Sequence, residues 1–131
     1  MTESFPRKGR GAVSNASGRF ERFAREAFDD GWAEEDIVRL ETIVTPEAAK
    51  SIISRNQSPD ISFDQSINPY RGCEHGCIYC YARPNHAYVG LSPGLDFETQ
   101  LFVKANAAQL LEAEFMKPRY RARTIMLGGV T

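Results

Sequence analysis

The sequence has 131 residues, 42% apolar and 25% charged, with a formal net charge of −1: an ordinary soluble composition with room for one small core. The near-neutral balance removes the bulk electrostatic case for nucleic-acid binding and leaves only a local basic groove. No run approaches the roughly 20 apolar residues of a spanning helix and no signal peptide opens the chain, so no membrane is expected and the cytoplasm is the expected compartment.

Residues 1–17 are rich in Gly, Ser and cations (Arg7, Lys8, Arg10) without an apolar period, which predicts a mobile, solvated arm. Over 17–28, Phe20, Phe23, Ala24 and Phe28 recur at helical spacing, with Ser17 placed to cap the start and Gly31 to end the helix. Trp32 is expected to join that packed face, and Glu34, Glu35 and Asp36 to form a solvated turn. Residues 41–44 prefer a strand, and Thr45-Pro46-Glu47 reads as the opening of a short helix through Ile53. Turn formers in 55–60 end it.

From Phe63 to Asn68 the residues Phe63, Gln65 and Ile67 alternate with Ser62, Asp64 and Ser66, the period of a strand with one buried face, which Pro69 ends. Residues 91–97 are turn-rich, 99–104 read as an extended run, and Asn106 is placed to cap a helix whose inner face carries Leu110, Leu111 and Phe115. Pro118 closes that helix. Ile125, Met126 and Leu127 then suit a parallel strand covered on both faces, and strand, helix, strand in this order fits one parallel crossover. The fold class is α/β, with residues 1–60 a mostly helical or irregular extension and 61–131 the start of a core domain.

All three cysteines lie in the stretch 69–84, at Cys73, Cys77 and Cys80, spaced C-x3-C-x2-C, with Gly72 and Gly76 free to turn the backbone and bring three sulfurs toward one point. Three thiolates suit a soft metal centre, and a four-iron cluster held at three corners would keep one iron open to a small ligand. A zinc site is the alternative, with His75 or His86 as fourth ligand. A disulfide with one thiol left over fits poorly without a secretory leader. Thiol exchange through Cys77 and Cys80 leaves Cys73 unexplained.

The loop, with Tyr79 just before the last cysteine, resembles the cluster loop of radical S-adenosylmethionine enzymes. The text SINPYRGCEHGCIYCYARPNHAY, followed by GLSPGLDFETQLFVKANA, is similar to a bacterial branch related to spore photoproduct lyase; SIISRNQSPDISFD and GRFE match more loosely. The resemblance implies a 4Fe-4S cluster on Cys73, Cys77 and Cys80, S-adenosylmethionine on the open iron, reductive cleavage to a 5′-deoxyadenosyl radical, and an electron donor such as a flavodoxin or ferredoxin. It places Tyr79 against the adenine, a role compatible with packing beneath the loop. It sets Gly128 and Gly129 at the methionyl amino group, although Val130 and Thr131 follow where many members carry an acidic residue.

The strand at 63–68 becomes the first strand of a partial TIM-type barrel, with the cysteine loop at its C-terminal end, where barrel active sites lie. A complete barrel takes about 250 residues. The chain is therefore expected to hold only the first strand-helix-strand unit, interrupted after TIMLGGV. Two further readings stand beside the enzyme: an inactive truncated fragment that keeps the cluster ligands, and a small zinc-binding structural module. His75 could tune a cluster sulfur and His86 donate a proton, while Arg71 or Arg83 could meet an anionic substrate or the cofactor carboxylate. The substrate is not legible; nucleic acid enters only through the resemblance.

Overall fold

The computed structural model describes residues 9–23 and 40–129. They form two compact units interleaved along the chain: the described parts of 1–43 with 72–101, and of 44–71 with 102–131. Residue 60 lies inside the second unit. Trp32 and the acidic run 34–36 lie outside the described residues, as do Arg7, Lys8 and residues 24–28 of the helix expected over 17–28.

The first unit is built on a 3-10 helix, Arg83–Val89, and a short helix α1, Leu95–Thr99. Pro84 suits the opening of the 3-10 helix, because its fixed φ matches and its missing N–H has no partner to lose. Ala82, Ala87, Leu95 and Phe97 are buried, together with the polar His86, Ser92, Asp96 and Glu98. α1 follows a turn-rich stretch, and its buried Asp96 and Glu98 give the polar half of this core its partners.

The N-terminal segment corrects two expectations. Residues 9–16 are docked on α1: the Leu95 N–H donates to the Ser14 carbonyl at 3.1 Å, and Asn15 and Asp96 exchange two hydrogen bonds of 2.8 and 2.9 Å. Ser92 Oγ donates to the Ala16 carbonyl at 2.5 Å. Arg10 is engaged too, through Nη2 to Thr42 Oγ1 at 2.5 Å. The described start of the expected 17–28 helix is instead a turn closed by Glu21 N–H on the Gly18 carbonyl at 3.1 Å, and Phe20 meets Tyr88 with ring centroids 5.1 Å apart.

Two three-stranded sheets follow, all of whose residues but Ile43, Gln100 and Leu101 belong to the second unit. One has the order β1, Ile43–Glu47; β5, Gln100–Lys104; β4, Tyr70–Arg71. The other has β2, Ile53–Arg55; β3, Gln65–Ile67; β6, Ile125–Leu127. β1 and β2 replace the helix expected over 45–53. Pro46 has no N–H to give a ladder, but β1 is an edge strand, where that loss is tolerated. Pairing with β5 thus overrides the local helix-opening signal.

β3 is central in its sheet, antiparallel to β2 and parallel to β6, with Gln65 opposite Ile125 and Ile67 opposite Leu127. Gln65 and Ile67 are buried and Ser66 is half-buried, as the alternation requires. Between β5 and β6 runs α2, Ala107–Phe115. Asn106 precedes it but makes no side-chain cap; its Oδ1 accepts from the Ala49 N–H and its Nδ2 donates to the Ala49 carbonyl, both at 2.9 Å. Leu110 and Leu111 are half-buried while Phe115 is exposed and leans on Tyr120, 4.9 Å between centroids. β6 is not covered on both faces, since Met126 is exposed and Leu127 is 71% exposed. Among the described residues no helix is long and apolar enough to cross a membrane.

Candidate metal centre

The cysteine loop belongs to the first unit and is a chain of tight turns. The carbonyls of Cys73, Cys77 and Cys80 accept from the N–H groups of Gly76, Cys80 and Arg83 at 3.4, 3.2 and 3.3 Å, so each cysteine opens a turn of its own. The loop is tied to α1 at its start, where the Cys73 N–H donates to the Phe97 carbonyl at 3.0 Å. Gly72 and Gly76 sit at φ +79° and +62°, conformations open to glycine at little cost. A Cβ on Gly72 would also stand 2.7 Å from Leu101 and 2.8 Å from the Phe97 carbonyl oxygen.

Beneath the loop lies Arg83, buried, whose guanidinium is consumed by structure. Nε donates to the Cys77 carbonyl at 2.9 Å, Nη2 to the Gly76 carbonyl and to Glu98 Oε1 at 2.7 Å each, and Nη1 to the carbonyls of Pro93 and Gly94 at 3.1 Å each. Its plane also lies 5.2 Å from the Phe97 ring centroid. A planar fork is suited to gathering several carbonyls at once.

Glu98, 0% exposed, completes the clamp by accepting from the backbone N–H groups of Arg10, Gly11 and Ala12, the Arg10 bond being 2.7 Å. Three successive N–H groups around a carboxylate make an anion nest. Burial pushes the Glu98 carboxyl up, but the Arg83 hydrogen bond and then those from Ala12, Gly11 and Arg10 outweigh it and hold it below its ordinary value. Gly11 must pass directly against the Gly76 carbonyl, a contact any side chain there would block.

Arg83 is therefore closed to any anionic ligand, and Arg71, in the second unit, gives its Nε to Glu47 at 2.7 Å. His86 is 1% exposed, with Nε2 2.8 Å from the Gln100 carbonyl oxygen and its ring edge-on to Phe97. It is a core histidine, unsuited to proton donation at an open site or to metal ligation. His75 is exposed, its Nδ1 3.6 Å from Cys73 Sγ. Tyr79 does not pack beneath the loop, because it is 86% exposed and leaves that space to Arg83. Gly128 and Gly129 lie in the second unit after β6; Gly128, at φ +73°, donates its N–H to the Ile67 carbonyl at 2.9 Å, and a Cβ there would meet nothing within 4 Å.

Cys73, Cys77 and Cys80 are all free thiols, partly accessible. As a donor set they fit a soft centre: three sulfurs, with the loop's own carboxylate, Glu74, turned to Arg10 at 3.7 Å. The side chains are not drawn to one point, and among the described residues no group of three or more His, Cys, Asp or Glu is gathered at ligating distance. Thiolates repel one another, and a bound cation is what makes their convergence favourable. The sequence pointed to the three cysteines but gave no signal for Glu98, whose backbone partners at Arg10, Gly11 and Ala12 stand more than 80 residues away.

No family model matches the chain, and no solved structure matches it. It is similar to three proteins described as uncharacterized, one of Mycobacterium bovis and two of Mycobacterium tuberculosis strains, each 47% identical over 71 residues. The matched stretch covers 54% of this chain but 21% of each relative. Over about half its length, the chain thus resembles about a fifth of a larger mycobacterial protein.

Proposed function

We propose that the loop of Cys73, Cys77 and Cys80 is a three-thiolate iron–sulfur site of the radical S-adenosylmethionine type. The observation that carries this reading is the combination of three free thiols, each at the start of its own turn, on a backbone clamped from below by Arg83 and Glu98. Such a clamp leaves the sulfur side of the loop open while fixing its carbonyls. A four-iron cluster bound there would supply one electron for reductive cleavage of S-adenosylmethionine. The exposed ring of Tyr79 offers a face for a nucleobase. Resemblance extends the proposal to an electron donor such as a flavodoxin or ferredoxin. The substrate and the activity of the longer relatives are part of the same proposal.

The test is spectroscopic. The anaerobically reconstituted, dithionite-reduced protein should show a paramagnetic cluster whose resonance changes on addition of S-adenosylmethionine. A cluster indifferent to S-adenosylmethionine would overturn the open-iron assignment.

One contact favours a second reading, a zinc module: His75 beside Cys73 could complete a Cys3His set. In that case His75→Ala should lose most bound zinc, whereas a three-thiolate cluster keeps its iron in the same variant.

A further inference from the structure

We propose that the second unit binds a phosphate monoester in a basic cavity beside β3, a site separate from the cysteine loop. The cavity is about 290 Å³; Arg55, Lys117, Arg119, Arg121 and Arg123 line it together with one carboxylate, Glu114, and Gln65 is also on its wall. Five cations line it in a chain whose net charge is −1. Like charges on one cavity wall repel, so the arrangement favours anionic partners.

The protein supplies only part of that charge. Glu114 accepts from Arg55 at 3.2 Å and from Lys117 at 2.5 Å, and Asp64 accepts from Arg123 at 2.6 Å. Arg119 and Arg121 have no ion pair among the described residues. Two guanidinium forks two residues apart match the oxygens of one phosphate, which they can grip bidentately.

A second observation points to a ligand that carries more than a phosphate. Gln65 is 2% exposed, on the central strand of its sheet, and its Oε1 is the one buried side-chain N or O atom without a hydrogen-bond partner among the described residues. Leaving such an acceptor unpaired costs on the order of 1–3 kcal/mol. Turned toward the cavity that it lines, the Gln65 amide would meet a hydroxyl or amino group on the body of the ligand while the phosphate meets Arg119 and Arg121. The volume lies near the small end of ligand cavities, which favours a single phosphate-bearing unit over a polymer. A sugar phosphate and a mononucleotide share this chemistry.

The experiment is calorimetric titration of the full chain with inorganic phosphate, ribose 5-phosphate and adenosine 5′-monophosphate, and needs no cluster. At least one ester should bind more tightly than inorganic phosphate, and which ester wins identifies the ligand's body. Arg119→Ala with Arg121→Ala should weaken that binding roughly tenfold or more, while Arg19→Ala, a cation of the other unit, should not. Gln65→Leu should bring the ester down to the level of inorganic phosphate; if that variant misfolds, the arginine pair alone decides. No binding of any probe, equal binding by the double variant, or no ester binding more tightly than inorganic phosphate would overturn the proposal.

Discussion

Arg83 carries more of the loop's architecture than any cysteine does, because five of its hydrogen bonds end on Cys77, Gly76, Pro93, Gly94 and Glu98. Arg83→Ala would strand the buried Glu98 carboxylate, a loss on the order of 3–5 kcal/mol, read as a lower urea midpoint. Arg83→Lys should recover little of it, since an ammonium cannot replace a planar fork. Gly72→Ala is expected to destabilise by at least about 1–2 kcal/mol from its left-handed backbone alone, with the contacts to Leu101 and Phe97 adding to that. At this scale the sequence was legible where chemistry is written in one residue type, the three cysteines. It was illegible where a side chain's partners are backbone carbonyls, which every residue carries.

The N-terminal segment 9–16 is held to the short helix α1 by the nest around Glu98, and this gives the element a pH dependence. A carboxyl held below its unfolded value contributes stability that is complete above the ordinary glutamate range and is lost as pH falls through its lower, folded value. Protection of the Arg10, Gly11 and Ala12 amides, measured against exchange of the unstructured chain at the same pH, should therefore persist through neutral and mildly acidic pH and fall only below the usual glutamate range. Glu98→Gln should show fast exchange at all pH values. In the second unit, Asn106→Asp keeps a good cap residue but loses the Nδ2 donor to Ala49. It should cost about 0.5–1.5 kcal/mol, whereas a pure capping role predicts no loss. Local pattern identified β3, β5, α2 and β6 because each has its own period or turn signals. It failed at 45–53, where tertiary pairing decides, and at Asn106, whose partner is a distant backbone.

On the scale of the whole molecule, the chain leaves and re-enters each unit, so Gly72–Leu101, with the cysteine loop, is an excursion from a sheet-bearing unit. No composition shift marks such interleaving. The order strand, helix, strand was legible, and β3 and β6 do pair in parallel. The exposure of Met126 and Leu127 was not, because an apolar run reads the same whether or not something covers it.

The central claim is that three thiolates of one clamped loop hold one iron–sulfur cluster. Iron and acid-labile sulfide should be counted per chain after anaerobic reconstitution of the wild type and of Cys73→Ala, Cys77→Ala and Cys80→Ala, each with its fold checked by circular dichroism. The account predicts about four irons and four sulfides in the wild type and loss of a stable cluster in every variant. Near-wild-type iron and sulfide in any one variant, or a wild type that takes up zinc and no iron, would contradict it.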